Sequence, residues 1–167
     1  MGDRWSKPFQ NTHNSDSQLK LTEPTQRRKV AMAKVFTGKV AIPGDRMEEF
    51  FQAVTDAETA RTPFRKQLEG LNEAFAEHLA TKYAKKTINK HTGIVSLFID
   101  FICWHTDVES IQEITKGMVN SHFRRWYKSK VCDSATDNDL RVALKKFFQF
   151  LADEQGIVNQ KALEALK

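Results

Sequence analysis

Between Thr87 and Ile102 the chain reads TINKHTGIVSLFIDFI, and this run constrains the fold more than any other. Ile88, His91, Val95, Phe98 and Ile102 recur at three- and four-residue steps, the spacing of one helix face. Ile94, Ile99 and Phe101 widen that stripe beyond what a single neighbour covers. A helix this apolar packs on more than one side, so the chain has to supply further helices around it.

The flanking sequence offers them. Asp45 can cap a helix with Met47, Phe50, Phe51 and Val54 on one face, and Glu48 and Glu49 sit in its favourable first turn. Pro63 is expected to interrupt it. A second helix is expected from Phe64 to about Tyr83, carrying Leu68, Leu71, Phe75 and Leu79. After the central helix, Thr115 is placed to cap a helix presenting Val119, Phe123 and Trp126. Thr136 and Asp139 have the spacing of a capping box, with Asp in place of Glu. The helix they open carries Leu140, Leu144, Phe147 and Leu151, and Gly156 stops it. A short last helix is expected from about Asn159. Lys34–Asp45 reads as extended, and nothing after residue 45 alternates like a strand. The expected fold is all-α: a compact bundle of four to five helices with one additional N-terminal helix and a flexible N-terminal arm.

Residues 1–34 are polar and poor in periodic apolar positions, so ordering them would not be offset by burial. The expected organisation is thus an arm over 1–34, a short extended segment plus helix over 35–63, and a helical bundle over 64–167. Cys103 and Cys132 lack metal-ligand spacing and suit a reduced, cytoplasmic protein. The longest apolar stretch, IVSLFIDFICW, is broken by Asp100 and is too short to span a bilayer, so no membrane partner is expected.

Enzyme signatures are thin. There is no glycine-rich phosphate loop, no nucleophile elbow and no His-x-x-x-His, and no cofactor or metal is expected. His122-Phe-Arg-Arg125 has the His-x-x-Arg spacing of phosphate-handling active sites, with Tyr127 close by. Tyrosine-based strand transfer, however, needs a nucleophile that can reach a phosphate held by other groups. Tyr127 lies five residues after His122, near the opposite side of the same helix, and Tyr83 is the only other tyrosine. Catalysis by this chain is not expected.

Charge is more informative. The formal net charge is +5. Lys82, Lys85, Lys86 and Lys90 occur without an intervening acid and straddle a helix start, where free N–H groups and the helix dipole already favour phosphate. Lys116, Arg124, Arg125, Lys128 and Lys130 form a second acid-free group. Arg141, Lys145 and Lys146 form a third, on the helix after Thr136. Each group taken singly is adequately explained as a solvated face; three on one small helical domain point to an anionic partner. His91, on an otherwise apolar stripe, reads as a partly buried histidine rather than a ligand.

Two segments carry a family resemblance: FAEHLATKYAKKTINKHTGIVSLFIDFI, and ITKGMVNSHFRRWYKSKVCDSATDNDLRVALKKFFQFLADEQGIVN. With Thr87 opening the central helix, the Phe98/Phe101 pair, Ile114-Thr115 before a helix, the pattern from Ser134 to Leu151 and the terminal Gly-Ile-Val-Asn, roughly residues 70–160 resemble the core-binding domain of tyrosine recombinases, the phage-integrase N-terminal SAM-like domain. The resemblance implies half of a clamp around double-stranded DNA, with the second and fourth helices of the domain facing the major groove. Carried over by position, the implied DNA-binding residues are Lys85, Lys86, Thr87, Lys90 and His91 on the second helix. On the fourth they are Ser134, Thr136, Asn138, Arg141 and Lys145. Other protomers, or a catalytic recombinase partner, are further implied partners.

Three departures stand out. Asp137 and Asp139 put negative charge on the groove-facing helix. Asn159-Gln160 stands where the family has Asn-Pro. The sequence ends at Lys167, about where the linker to the catalytic domain is expected, and that catalytic domain is missing from it. The leading expectation is DNA binding without catalysis, in a protein of the DNA integration and recombination class. The rival is a helical protein–protein interaction module with no nucleic-acid role, for which residues 45–60 would be a packing or dimerisation helix.

Overall fold

A computed structural model of the protein describes residues 35–36, 41–131 and 134–167. The expected arm over 1–34 lies outside the described residues, as does Cys132. Five α-helices account for the described fold: α1 (Met47–Ala80), α2 (Lys85–His105), α3 (Phe123–Lys130), α4 (Asp137–Asp153) and α5 (Gln160–Ala165). A π-helical turn, Met118–His122, leads into α3. The all-α expectation holds among the described residues. The extended reading survives at Val35, which makes an isolated antiparallel bridge to Thr106, and Phe36 donates its N–H to the His105 carbonyl at 2.7 Å.

α2 is the centre of the bundle. Eight of its residues are buried, among them Ile94, Val95, Phe98, Ile99, Phe101 and Ile102. They occupy more than one face, as the width of the stripe demands. Burying each large side chain is worth about 1.5–3 kcal/mol, so this helix alone carries much of the driving force for folding. Phe98 meets Phe123 edge-on from α3, with ring centroids 5.1 Å apart, and Phe148 from α4 at 6.1 Å.

α1 lies antiparallel to α2. Arg61 donates to the Cys103 carbonyl at 3.1 Å, Arg65 to Asp100 at 2.7 Å, and Asn72 to the Thr92 carbonyl at 3.2 Å. The partner numbers fall as those on α1 rise, which is the signature of a helical hairpin. The first of these bonds also satisfies a carbonyl in the last turn of α2, where the helix has few partners of its own.

The expected break at Pro63 does not occur. α1 is continuous from Met47 to Ala80 with Pro63 inside it. A proline in a helix interior removes one N–H and crowds the carbonyl four residues earlier, at a cost of about 3 kcal/mol. Here Pro63 and Thr59 both face solvent, so water can take the orphaned carbonyl. Thr55, Thr59 and Thr62 turn their hydroxyls back onto the carbonyls of Phe51, Thr55 and Glu58 at 3.0, 2.8 and 2.9 Å. Such back-bonds favour a bend without ending the helix. Burial nevertheless starts just beyond the proline, with Phe64 and Leu68.

Two smaller corrections concern helix starts. α2 begins at Lys85 with Ala84 as its cap residue, so Thr87 lies inside the first turn rather than opening it. Thr115 does cap the segment before α3, accepting from the Met118 N–H at 3.4 Å, but that segment winds as a π-helix before becoming α. The Thr136 capping box is present with both of its hydrogen bonds. Gly156, at φ 66°, turns the chain after α4, and the Ile157 N–H donates to the Leu151 carbonyl at 2.8 Å.

Asn159 locks the end of the fold. Its side chain is buried, donates to the carbonyls of Ile111 and Ile114 at 2.6 and 2.9 Å, and accepts from the Ala162 N–H at 2.9 Å. One side chain thus caps α5 and ties it to the loop before α3. Asn159→Ala removes both donors and the cap, and is expected to cost about 3 kcal/mol of stability. Asn159→Asp keeps the cap but has no N–H for the two carbonyls, so it should be destabilised as well. Chemical denaturation of both variants tests this; wild-type stability in Asn159→Asp would show that the cap is the part that matters.

Candidate nucleic-acid interface

The starts of α2 and α4 lie against each other. Lys90 in α2 pairs with Asp139 in α4 at 2.8 Å, and two turns of α4 further along the Lys146 ammonium donates to His91 Nε2 at 3.2 Å. Residues 85–91 and 136–146, widely separated in sequence, therefore form one surface. The two helix starts differ in chemistry.

α4 opens with a side-chain cap on one of its backbone donors. Thr136 Oγ1 accepts from the Asp139 N–H at 3.2 Å, and Asp139 Oδ2 accepts from the Thr136 N–H at 2.9 Å. The Lys90 ammonium and the Thr136 donors hold the Asp139 carboxyl at a pKa of about 2, against 3.8 for a free one. Asp137 draws in Lys128 at 3.0 Å and Arg124 at 3.7 Å, so two cations of the acid-free run in 116–130 are neutralised by a neighbour the sequence places elsewhere.

α2 opens bare. Ala84 has no side chain to cap it, and no acid lies in the first turn. Lys85 and Lys86 are exposed there and have no carboxylate partner among the described residues. Free N–H groups, the positive end of the helix dipole and two unpaired ammonium groups coincide, which is an arrangement suited to phosphate.

The remaining expected residues divide by exposure. Ser134, Thr136, Asn138 and Arg141 are exposed, and Thr87 and Lys145 are half-buried. Arg141 donates to the Lys167 carbonyl. His91 is only 7 % exposed. Its pKa is lowered by burial and then by the nearby Lys146 and Lys90 ammonium groups, with Asp139 acting weakly the other way. It is a neutral ring that accepts from Lys146. Lys146 also lies 3.9 Å from the centre of the Tyr83 ring, a cation–π contact that fastens the α1–α2 turn to α4. Tyr83 and the paired role of Lys146 escape sequence reasoning, because partners 63 and 55 positions away leave no local spacing to find.

Tyr127 is 2 % exposed and packs edge-on against Phe123, so its hydroxyl is not presented to solvent as a nucleophile. Among the described residues no cluster of three or more His, Cys, Asp or Glu is arranged to hold a metal, and no helix is long and apolar enough to cross a membrane.

Residues 73–155 match the family model for the phage integrase, N-terminal SAM-like domain. Over that segment the chain matches the core-binding domain of tyrosine recombinases, and the match supports a DNA-binding role. No catalytic tyrosine-recombinase domain is detected within these 167 residues. No curated protein and no solved structure matches the chain. In the SAM-like domain, the matched segment spans the last two turns of α1 and all of α2, α3 and α4, which are the elements that assemble the Lys85–Lys146 surface.

The Asp139 contacts make stability depend on pH in a defined window. A carboxyl whose pKa is depressed on folding contributes fully above its unfolded value and loses that contribution as it is protonated. The loss is expected as pH falls from about 3.8 to about 2. An NMR titration of Asp139 should show the low midpoint in the wild type and a rise toward 3.8 in Lys90→Met, because the Lys90 hydrogen bond is the largest cause of the shift. An unmoved midpoint would assign the shift to the cap instead.

Proposed function

We propose that this chain binds duplex DNA without cleaving it, using the start of α2 as its principal phosphate contact. The observation that carries the reading is the uncapped, acid-free start of that helix, with Lys85 and Lys86 exposed and unpaired inside a phage-integrase SAM-like domain. Lys85 and Lys86 take backbone phosphates, and Lys145 extends the same cationic surface on α4. Thr87, Ser134, Asn138 and Arg141 add shorter contacts beside it. Lys90, Thr136 and His91 act mainly by holding α2 and α4 in register, since each is already engaged within the fold. Phosphate contacts of this kind set orientation and affinity and carry little sequence information.

On this reading the bundle from residue 64 onward is the binding unit, other protomers or a catalytic recombinase subunit act on the same DNA, and the protein works in the cytoplasm. Asp137 and Asp139 do not oppose binding strongly, because Lys128, Arg124 and Lys90 neutralise them locally.

Fluorescence anisotropy with a random duplex between roughly 50 and 200 mM salt tests the proposal, since binding through several phosphates weakens by orders of magnitude over that range. Lys85→Glu/Lys86→Glu should abolish binding at the higher salt, and Lys85→Ala/Lys86→Ala should lower the salt slope by about two, one for each lost contact. Reversing Lys90 is a poor probe, because a glutamate there would face Asp139 and loosen the fold. Absence of binding by the folded wild type at the lowest salt would overturn the proposal.

A further inference from the structure

The first four turns of α1 have no partner among the described residues. Residues 47–60 are all exposed, a length of about 20 Å at the helical rise. Their surface is nevertheless apolar along one side. Met47, Phe50, Val54 and Ala57 follow one another at steps of three, four and three. Arg61, Phe64, Leu68, Leu71 and Phe75 continue the same alternation into the bundle. Below Pro63 this seam is the face that packs against the rest of the fold, with Phe64, Leu68 and Phe75 buried and Leu71 partly so. Above it the seam continues uncovered, with Phe51 58 % exposed beside Phe50.

Beside the seam runs an open apolar groove, floored by Phe50, Val54, Ala57 and Arg61 and walled by Phe36 and Trp104. Trp104, at the end of α2, is 48 % exposed. A surface of this length and apolarity is unusual on a protein with nothing bound to it. An open apolar groove of this kind can take the apolar face of a helix.

The charges along α1 say which helix. Asp45, Glu48 and Glu49 outnumber Arg46 at its beginning, and Arg61, Arg65 and Lys66 outnumber Glu69 about four turns later. A second copy of α1 laid antiparallel sets each acidic end beside the other's basic end, whereas a parallel copy sets like against like. The seam is thus complementary to itself in one orientation, which is the requirement for a two-fold symmetric contact. Arg65 is held by Glu69 and Asp100, so Lys66, exposed and without a carboxylate partner among the described residues, presents the positive charge at the far end of the groove.

We propose that two copies of this chain associate through the N-terminal half of α1, antiparallel, with Phe50, Phe51 and Val54 of each seated in the groove of the other beside Trp104. The contact uses neither Lys85 nor Lys86, so it stands or falls independently of DNA binding.

Sedimentation velocity of the full chain over a range of concentrations reads the association directly. A concentration-dependent dimer is expected. Phe50→Glu/Val54→Glu, at exposed positions, should keep the helical circular dichroism spectrum and weaken association at least about a hundredfold, as loss of central apolar anchors does. Glu48→Lys/Glu49→Lys, which alters charge alone, should weaken it in low salt and have little effect in high salt, where exposed charges are screened. A chain that stays monomeric at every concentration overturns the proposal. So does a dimer that is unchanged in Phe50→Glu/Val54→Glu, because its interface then lies elsewhere. A dimer strengthened by Glu48→Lys/Glu49→Lys would overturn the antiparallel arrangement.

Discussion

Everything in this fold is arranged around the need to bury α2 on several sides at once. Phe98 alone touches rings from α3 and α4, and Phe101 touches Phe123 and Trp126. A helix with so many buried residues cannot be left at a surface, and no single neighbour covers it. α1 closes one side through the Arg61, Arg65 and Asn72 bonds, and α3 and α4 close the others. α5 is the smallest piece, and it is held by the polar bonds of Asn159 together with the burial of Ala162 and Leu166.

The same packing decides the electrostatics. Lys90 and Asp139 are each placed by the apolar residues beside them in their helices, and their pairing is a consequence of α2 lying on α4. Once that pair and the Asp137 cluster have formed, much of the positive charge counted along the sequence is spent inside the molecule. The start of α2 keeps Lys85 and Lys86 without a carboxylate partner among the described residues, and its cap residue is an alanine. A helix start with unsatisfied donors and unpaired lysines is less stable than a capped one, and binding an anion offsets that cost. The first half of α1 is a comparable case in apolar terms, a face left exposed among the described residues.

Much of the helical framework was legible in the sequence for a local reason. The stripe of α2, the Thr136 capping box, the Thr115 cap and the stop at Gly156 all depend on residues within one or two turns, and the spacing itself carries the physics. Pro63 misled because a proline's effect depends on which way it faces. On the exposed side of α1 the carbonyl that loses its hydrogen bond is open to solvent, so the helix can continue. The π-turn at Met118–His122 and the early start of α2 at Lys85 lack any comparable local signal.

The interface was legible only in part. The three cationic groups can be counted from the sequence, as can the family resemblance over α2 and α4. Which cations stay free cannot, because Lys90, Lys128 and Arg124 meet carboxylates 49, 9 and 13 positions away. By itself the sequence determined the helix class, the residues that must be inside and the excess of positive charge, since periodicity, composition and capping are short-range properties. Only the tertiary structure decided that α1 runs through its proline, that His91 is a neutral acceptor for Lys146, and that, among the described residues, Lys90, Arg124 and Lys128 are paired while Lys85 and Lys86 are not. Those outcomes rest on which distant side chains the packing of α2 brings within a few ångströms of one another.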